Sequence, residues 1–368
     1  MSERVKVLIV VGLFFVSQIG FAMYTMGNRL VSSNTISGLT NALAYTVNSL
    51  NQYLQIENRQ SAIENCQYDL NGNLTGEASN VRTNTYTWDI ENQLVGFRKQ
   101  EGTNVILAKY SYDVFGRRLS KVVNGTTNYY LYADEGLIGE FDAFGNNICS
   151  YGYAPDALWM NNPVFLKQPS TTGLPVYYYY LNDHLGAPQK LVAKNGSVVW
   201  SASISAFGET FVSPSSIITN NLRISSQYFD AESGQHDNTH RSYTPFNGRY
   251  ISKDPIGEQG GFNLVCFVKN NPILSQDVLG LNNPGCDLPP GILGYLEGNR
   301  DCYLRCCAQH DSCFYKHRCT QWSFGLNIIQ TGSRCSILLY LTGLHPCVTC
   351  QAKAWSRGIF RDTLCRAA

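Results

Sequence analysis

The sequence has little net charge. Of its 368 residues, 28 are Lys or Arg and 27 are Asp or Glu, a balance of +1. A broad basic footprint of the kind that grips a phosphate backbone is missing, and no nucleic acid is expected as a partner. The balance is uneven. Residues 282–368 carry nine Lys/Arg against five Asp/Glu, a surplus of +4 that leaves −3 for the rest. Such a basic tail suits an anionic surface such as a bacterial membrane. Cysteine is scarce over most of the chain: of 13, only Cys66, Cys149 and Cys266 precede Cys286. The first 281 residues therefore lack a disulfide framework and must fold on a core, for which the length, enough for two or three domains, gives ample room. A comfortable membrane span is lacking too. Residues 7–24 reach only the lower edge of the required length, and Ser17 and Gln18 interrupt them.

What is present begins at the amino terminus. Arg4 and Lys6 precede an apolar stretch over residues 7–16, and Gly20-Phe21-Ala22 supplies small residues where a signal peptidase reads. Residues 1–22 read as a signal peptide, with an uncleaved N-terminal membrane anchor as the rival. Either places the protein outside the cytoplasm, secreted or at the periplasm or cell surface. Residues 23–67 are Ser/Asn-rich with weak helical patterning and read as a linker with room for a helix.

Residues 68–176 contain an internal repeat. Tyr68-Asp69-Leu70-Asn71-Gly72-Asn73 is followed by Tyr86-Thr87-Trp88-Asp89 and by Tyr110-Ser111-Tyr112-Asp113-Val114-Phe115-Gly116. Tyr130-Leu131-Tyr132-Ala133-Asp134 is a fainter copy, echoed by Phe141-Asp142-Ala143-Phe144-Gly145. Asp69, Asp89, Asp113 and Asp134 lie 20, 24 and 21 residues apart. Alternating aromatic and polar residues that end in an Asp turn and a Gly predict hairpin after hairpin. A generic antiparallel sheet would read the same way. The pattern resembles the YD repeats of the RHS family, whose strands wind into a hollow shell. About four copies are too few to close a container alone.

From residue 177 to 281 the motifs lengthen: Asp183-His184-Leu185-Gly186-Ala187-Pro188, Gln227-Tyr228-Phe229-Asp230, Gly248-Arg249-Tyr250-Ile251-Ser252-Lys253-Asp254-Pro255, and Asp277-Val278-Leu279-Gly280-Leu281. This stretch resembles the RHS repeat-associated core domain. The resemblance implies a core that plugs the shell and cuts its own chain between Leu281 and Asn282, with Arg241, Asp254 and Asp277 serving the cut. Two carboxylates that share one proton supply an acid and a base. Val278 departs from the family, which usually has Pro after the closing Asp. On residues alone, Asp254 and Asp277 read as turn formers.

After Leu281 the composition changes abruptly. Ten cysteines, Cys286, Cys302, Cys306, Cys307, Cys313, Cys319, Cys335, Cys347, Cys350 and Cys365, crowd into residues 282–368. So small a domain with so dense a set reads as disulfide-supported. Cys302 with Cys306 and Cys347 with Cys350 also have spacings that suit zinc. Read as a helix over about residues 301–316, Tyr303, Cys306, Cys307, His310 and Phe314 share one stripe, with Asp311 beside it. Residues 347–360 read as a second helix. Cys306-Cys307-Ala308-Gln309-His310-Asp311-Ser312-Cys313 resembles the active-site helix of the secreted phospholipase A2 superfamily. The resemblance implies a calcium-dependent hydrolase of the phospholipid sn-2 ester. His310 is then the general base and Asp311 a calcium ligand, joined by backbone carbonyls of a loop around Gly291 and Gly294. The family's histidine-orienting Asp falls where this chain has Gln351; Asp362 is the alternative.

The expected architecture is multidomain: mainly antiparallel β structure (YD repeats at 68–176, RHS core at 177–281), then a small α-helical, disulfide-rich phospholipase A2-like domain at 282–368. The expected function is an exported RHS-type toxin that hydrolyses membrane phospholipid, with an immunity protein as a further partner. A non-catalytic lipid- or receptor-binding module and a zinc-binding C-terminal domain are the alternatives.

Overall fold

The computed structural model describes residues 6–10, 19–23, 27–36, 39–58, 63–155 and 157–281. The chain divides into two compact units, residues 1–283 and 284–368. The described residues belong to the first unit and are antiparallel β almost throughout. Nineteen strands, from Lys6–Val10 to Thr210–Val212, form one meander in which each pairs with the next. A short sheet follows, made of Tyr228–Asp230, Gln235–Asn238, Arg241–Thr244 and Arg249–Tyr250. The helices expected at about 301–316 and 347–360, and the disulfide framework expected around them, lie outside the described residues.

One turn recurs and explains the repeat. Asp69, Asp89, Asp113 and Asp183 each donate their backbone N–H to the carbonyl four residues on, and each backbone carbonyl accepts the N–H three residues on, at 2.9–3.2 Å. The Asp side chain closes the loop by accepting the N–H of Asn73, Gln93, Arg117 or Ala187. The fourth turn residue has positive φ: Gly72 at 87°, Asn92 at 61°, Gly116 at 77°, Gly186 at 77°. Only Gly and, at some cost, Asn enter that region routinely, so the Asp-x-x-Gly spacing is dictated by the backbone. Asn48 and Ser205 head the same turn. Asp134 does not. It lies in the tight connection between Ala133 and Gly136, which are paired directly, because Leu137 stands where the five-residue turn needs Gly or Asn. Asp142 makes the full turn instead.

Aromatic residues just before the turns bind each repeat to the one before. The Tyr68 hydroxyl donates to the Tyr53 carbonyl at 3.0 Å, Trp88 Nε1 to the Leu74 carbonyl at 2.7 Å, and the Tyr112 hydroxyl to the Leu94 carbonyl at 2.8 Å. The other aromatic of each pair turns inward: Tyr86, Tyr110, Tyr130, Tyr151 and Tyr180 are buried. They pack with Leu74, Leu94 and Phe97 in one cluster and with Leu137, Leu166, Leu191 and Trp200 in another.

The linker expected over residues 23–67 is instead a continuation of the meander. Arg29–Ile36, Leu39–Val47, Tyr53–Asn58 and Ile63–Tyr68 are strands. Burial decides this. Leu43, Tyr45, Tyr53 and Ile56 form their own core cluster, with the Tyr45 and Tyr53 rings 4.7 Å apart. The apolar start is also extended: Lys6–Val10 pairs with Ile19–Met23. Among the described residues no helix is long and apolar enough to cross a membrane.

The short sheet is held to the meander by buried charge. Arg118 Nη1 lies 2.7 Å from Asp230 Oδ1, and Lys121 Nζ lies 2.9 Å from the same atom and 3.2 Å from Glu232 Oε2. Tyr110 donates its hydroxyl to Glu232 Oε1 at 3.0 Å. A second anchor joins Arg249 to the Tyr53 hydroxyl, the Gly27 carbonyl and Asn28. Both fix where the short sheet sits, and with it the residues described next.

Candidate active site

Arg241 opens the third strand of the short sheet, and its guanidinium gathers two carboxylates distant in sequence. Nη2 lies 3.0 Å from Asp254 Oδ2 and 3.1 Å from Asp277 Oδ2, and all three side chains are buried. Nη1 donates to the Leu264 carbonyl at 3.1 Å, and Nε donates to the Gly280 carbonyl. The guanidinium carbon sits 3.5 Å above the Tyr250 ring. A planar cation with five donors is the side chain that can do all of this at once.

The two aspartates are held differently. Asp254 forms a turn: its backbone N–H donates to the Leu264 carbonyl at 2.9 Å, its Oδ1 accepts the Ile256 N–H at 3.1 Å, and its carbonyl accepts the Gly257 N–H at 2.9 Å. The turn-former reading of Asp254 is thus correct and compatible with a second role. Burial pushes its carboxyl up to about 6, with the Asp277 charge adding to the rise and Arg241 opposing it. Asp277 receives more donors. Its Oδ2 accepts the Tyr250 hydroxyl at 2.6 Å as well as Arg241, and its Oδ1 accepts the Leu281 N–H at 2.9 Å. Asn238 Nδ2 donates to the Asp277 backbone carbonyl and to the Tyr250 hydroxyl, both at 2.8 Å. Val278, where the family usually has Pro, does not keep Asp277 from this cluster.

The peptide between Gly280 and Leu281 is therefore clamped at both ends, its carbonyl by Arg241 and its N–H by Asp277. The His240 N–H donates to the Leu279 carbonyl at 3.2 Å, steadying the same loop. Gly280 has φ 72°, and a Cβ there would lie 2.4 Å from the Asn238 carbonyl oxygen. Glycine is required for both reasons. Leu281 is buried; Asn282 lies outside the described residues. Arg241, Asp254, Asp277 and Leu281 are thus brought together around the peptide that precedes the expected cut. Sequence reasoning misses Tyr250 and Asn238. Tyr250 reads as an ordinary strand aromatic, and nothing local marks its hydroxyl as facing Asp277.

The residues expected to serve the C-terminal domain all lie outside the described residues. These are His310, Asp311, Gln351 and Asp362, with Gly291 and Gly294 of the calcium loop. The same holds for the cysteines expected in disulfides: Cys286, Cys302, Cys306, Cys307, Cys313, Cys319, Cys335, Cys347, Cys350 and Cys365. Cys149 and Cys266 are buried thiols.

Residues 177–213 match the family described as RHS protein. The chain is 28% identical over 240 residues to Double-stranded DNA deaminase toxin A of Burkholderia cenocepacia (strain H111), a match covering 58% of this chain and 17% of that protein. It is 28% identical over 259 residues to tRNA nuclease WapA of Bacillus subtilis (strain 168), covering 68% of this chain and 10% of that protein. Among solved structures it is similar to a TcdB2–TccC3 assembly at 17% identity and a TM-score of 0.43, covering 72% of this chain and 17% of that one. The chain thus spans 10% to 17% of the length of these proteins.

Proposed function

We propose that the β unit is an RHS-type carrier segment that cuts its own chain between Leu281 and Asn282 and so frees an exported C-terminal toxin domain. The observation that carries this reading is the sharing of Arg241 Nη2 by Asp254 and Asp277 beside a clamped Gly280–Leu281 peptide. Asp277, surrounded by donors, is the base. It takes a proton from a water whose oxygen bonds to the Leu281 carbonyl carbon. Asp254, which keeps its proton up to about pH 6, lends that proton to the carbonyl oxygen and recovers it as the intermediate collapses. The C–N bond breaks, the Asn282 nitrogen leaves with the proton that Asp277 collected, and the products are a Leu281 carboxylic acid and an Asn282 amine, which then exchange a proton to become carboxylate and ammonium. Mass spectrometry of the purified, denatured protein tests this. Two fragments, ending at Leu281 and starting at Asn282, are expected, and Asp277→Asn and Asp254→Asn should each stay one chain. A wild-type protein that remains intact overturns the reading.

For the freed domain, the Cys-Cys-x-x-His-Asp-x-Cys pattern supports a phospholipase A2-type hydrolase, with His310 as general base and Asp311 as a calcium ligand. A second reading is favoured by the relatives, two of which are named for acting on DNA and on tRNA. It is a domain directed at nucleic acid, and the expectation that nucleic acid plays no part is given up. Fatty-acid release from vesicles with calcium, set beside tRNA cleavage and DNA deamination by the same preparation, decides between them. Loss of lipid hydrolysis in His310→Gln is expected under the first reading, by roughly 10²–10⁴-fold.

A further inference from the structure

We infer that Tyr250 is a positioning residue for the cut at Leu281: its hydroxyl holds the Asp277 carboxylate in the orientation that reaches the cleavage loop. The inference rests on the self-cleavage reading and deepens it.

The hydrogen-bond directions around this hydroxyl are fixed. Asn238 Nδ2 can only donate, so the Tyr250 oxygen accepts from it at 2.8 Å and turns its own proton to Asp277 Oδ2 at 2.6 Å. The contact has the length usual for a hydroxyl donating to a carboxylate. It ties down one carboxylate oxygen, and the other oxygen accepts the Leu281 N–H at 2.9 Å. A carboxylate is rigid, so fixing Oδ2 aims Oδ1.

The ring has separate work. It lies under the Arg241 guanidinium and packs edge-on against Tyr243 and Phe267. Its backbone N–H donates to the Val265 carbonyl at 3.0 Å. Phenylalanine would keep the ring contacts and lose the hydroxyl. Burial and the Asp277 charge both drive the phenol well above its usual range, so it remains a donor. The charged and titratable side chains drawn up to Asp277 are Arg241 from the third strand of the short sheet, Tyr250 from the fourth, and Asp254 from the loop that follows.

The test follows newly synthesised full-length chains over time and measures the first-order rate at which the fragment beginning at Asn282 appears. Wild type, Tyr250→Phe, Tyr250→4-aminophenylalanine and Asp277→Asn are compared, with thermal unfolding of each. Tyr250→Phe should cleave roughly 10- to 100-fold more slowly, the worth of one hydrogen bond to a charged group. Its unfolding midpoint, read on chains not yet cut, should stay close to that of Asp277→Asn, which remains uncut. The amino variant, which restores a donor at the same place, should recover most of the rate. A purely structural role would leave the amino variant as slow as Tyr250→Phe. Wild-type cleavage with an equal rate in Tyr250→Phe overturns this inference and leaves the self-cleavage reading standing. A slow Tyr250→Phe that the amino variant fails to rescue also overturns it. An uncut wild type overturns both.

Discussion

Asp254 and Asp277 approach the same nitrogen, Arg241 Nη2, at 3.0 and 3.1 Å. Two carboxylates on one cation leave a surplus negative charge in a buried place. Such a pair relieves it by keeping one proton, and the donors decide which member keeps it. Here Asp277 has the Tyr250 hydroxyl and the Leu281 N–H, whereas Asp254 has the Ile256 N–H.

The pH dependence of the cut follows from that division. Asp254 keeps its proton up to about pH 6, against about 3.9 for a free Asp. If its proton is used in cleavage, the rate should be flat below that point and fall roughly tenfold per pH unit above it. Pulse-labelled chains incubated between pH 5 and 8 provide the measurement, and a rate that climbs through pH 6 would exclude Asp254 as the acid. Stability should move the same way. The folded protein binds this proton more tightly than the unfolded chain, so the contribution of Asp254 is fully present only below about pH 4 and is lost as pH rises through about 6.

The charge contacts between meander and short sheet should be costly to break. In Arg118→Met, Asp230 stays buried and loses its nearest cation. Removing one partner of a buried pair costs roughly 3–5 kcal/mol. Lys99→Met breaks a surface pair with Glu101, at 3.3 Å, and should cost less than about 1 kcal/mol. Urea unfolding of the two variants should separate them clearly.

Gly116 tests whether the turns serve the short sheet as well as the meander. It has φ 77°, and a Cβ there would lie 2.6 Å from His240 Nδ1. Gly125 has φ 86° with nothing within 4 Å. Gly125→Ala should cost about 1–2 kcal/mol for the backbone alone, and Gly116→Ala should cost more. His240 donates to the loop carbonyl of Leu279, so Gly116→Ala should also slow cleavage while Gly125→Ala leaves it unchanged. Denaturation midpoints and fragment yields check both parts.

In the C-terminal domain all ten cysteines, from Cys286 to Cys365, should resist alkylation until reduced, since removing one native bridge typically costs about 2–5 kcal/mol. Thiols that become protected only when zinc is added would favour the metal-binding alternative. If the domain is the calcium-dependent lipase, chelator should abolish fatty-acid release and calcium restore it. Asp311→Asn should raise the calcium concentration needed.

Much of the β architecture is legible because its punctuation is local. Asp69, Asp89 and Asp113 announce a turn whose fourth residue must have positive φ, and Gly72, Asn92 and Gly116 supply it. Where both punctuation marks are weaker, the pattern misleads. Asn48 and Asn51 make the same turn with two asparagines, and the strands on either side pass for a linker. Asp134 has the letter without the backbone. Arg241, Asp254 and Asp277 are visible only through the family resemblance, since their meeting depends on strand register and loop closure. Tyr250 and Asn238 cannot be found that way, because the direction of a hydroxyl inside a core is a tertiary property.

The burial of Leu279 and Leu281, at 9% and 6% exposure, bears on what the β unit could act upon. The space beside the aspartates is already taken by the protein's own segment 277–281, held by its leucines and by Gly280 pressed against the Asn238 carbonyl. A second polypeptide has no way in while that segment stays put. Chemistry here would be confined to one event per molecule, in cis, at a rate independent of protein concentration. After it the new terminus would remain seated as a stopper. An inactive chain mixed with an active one would then survive intact however long the two were kept together.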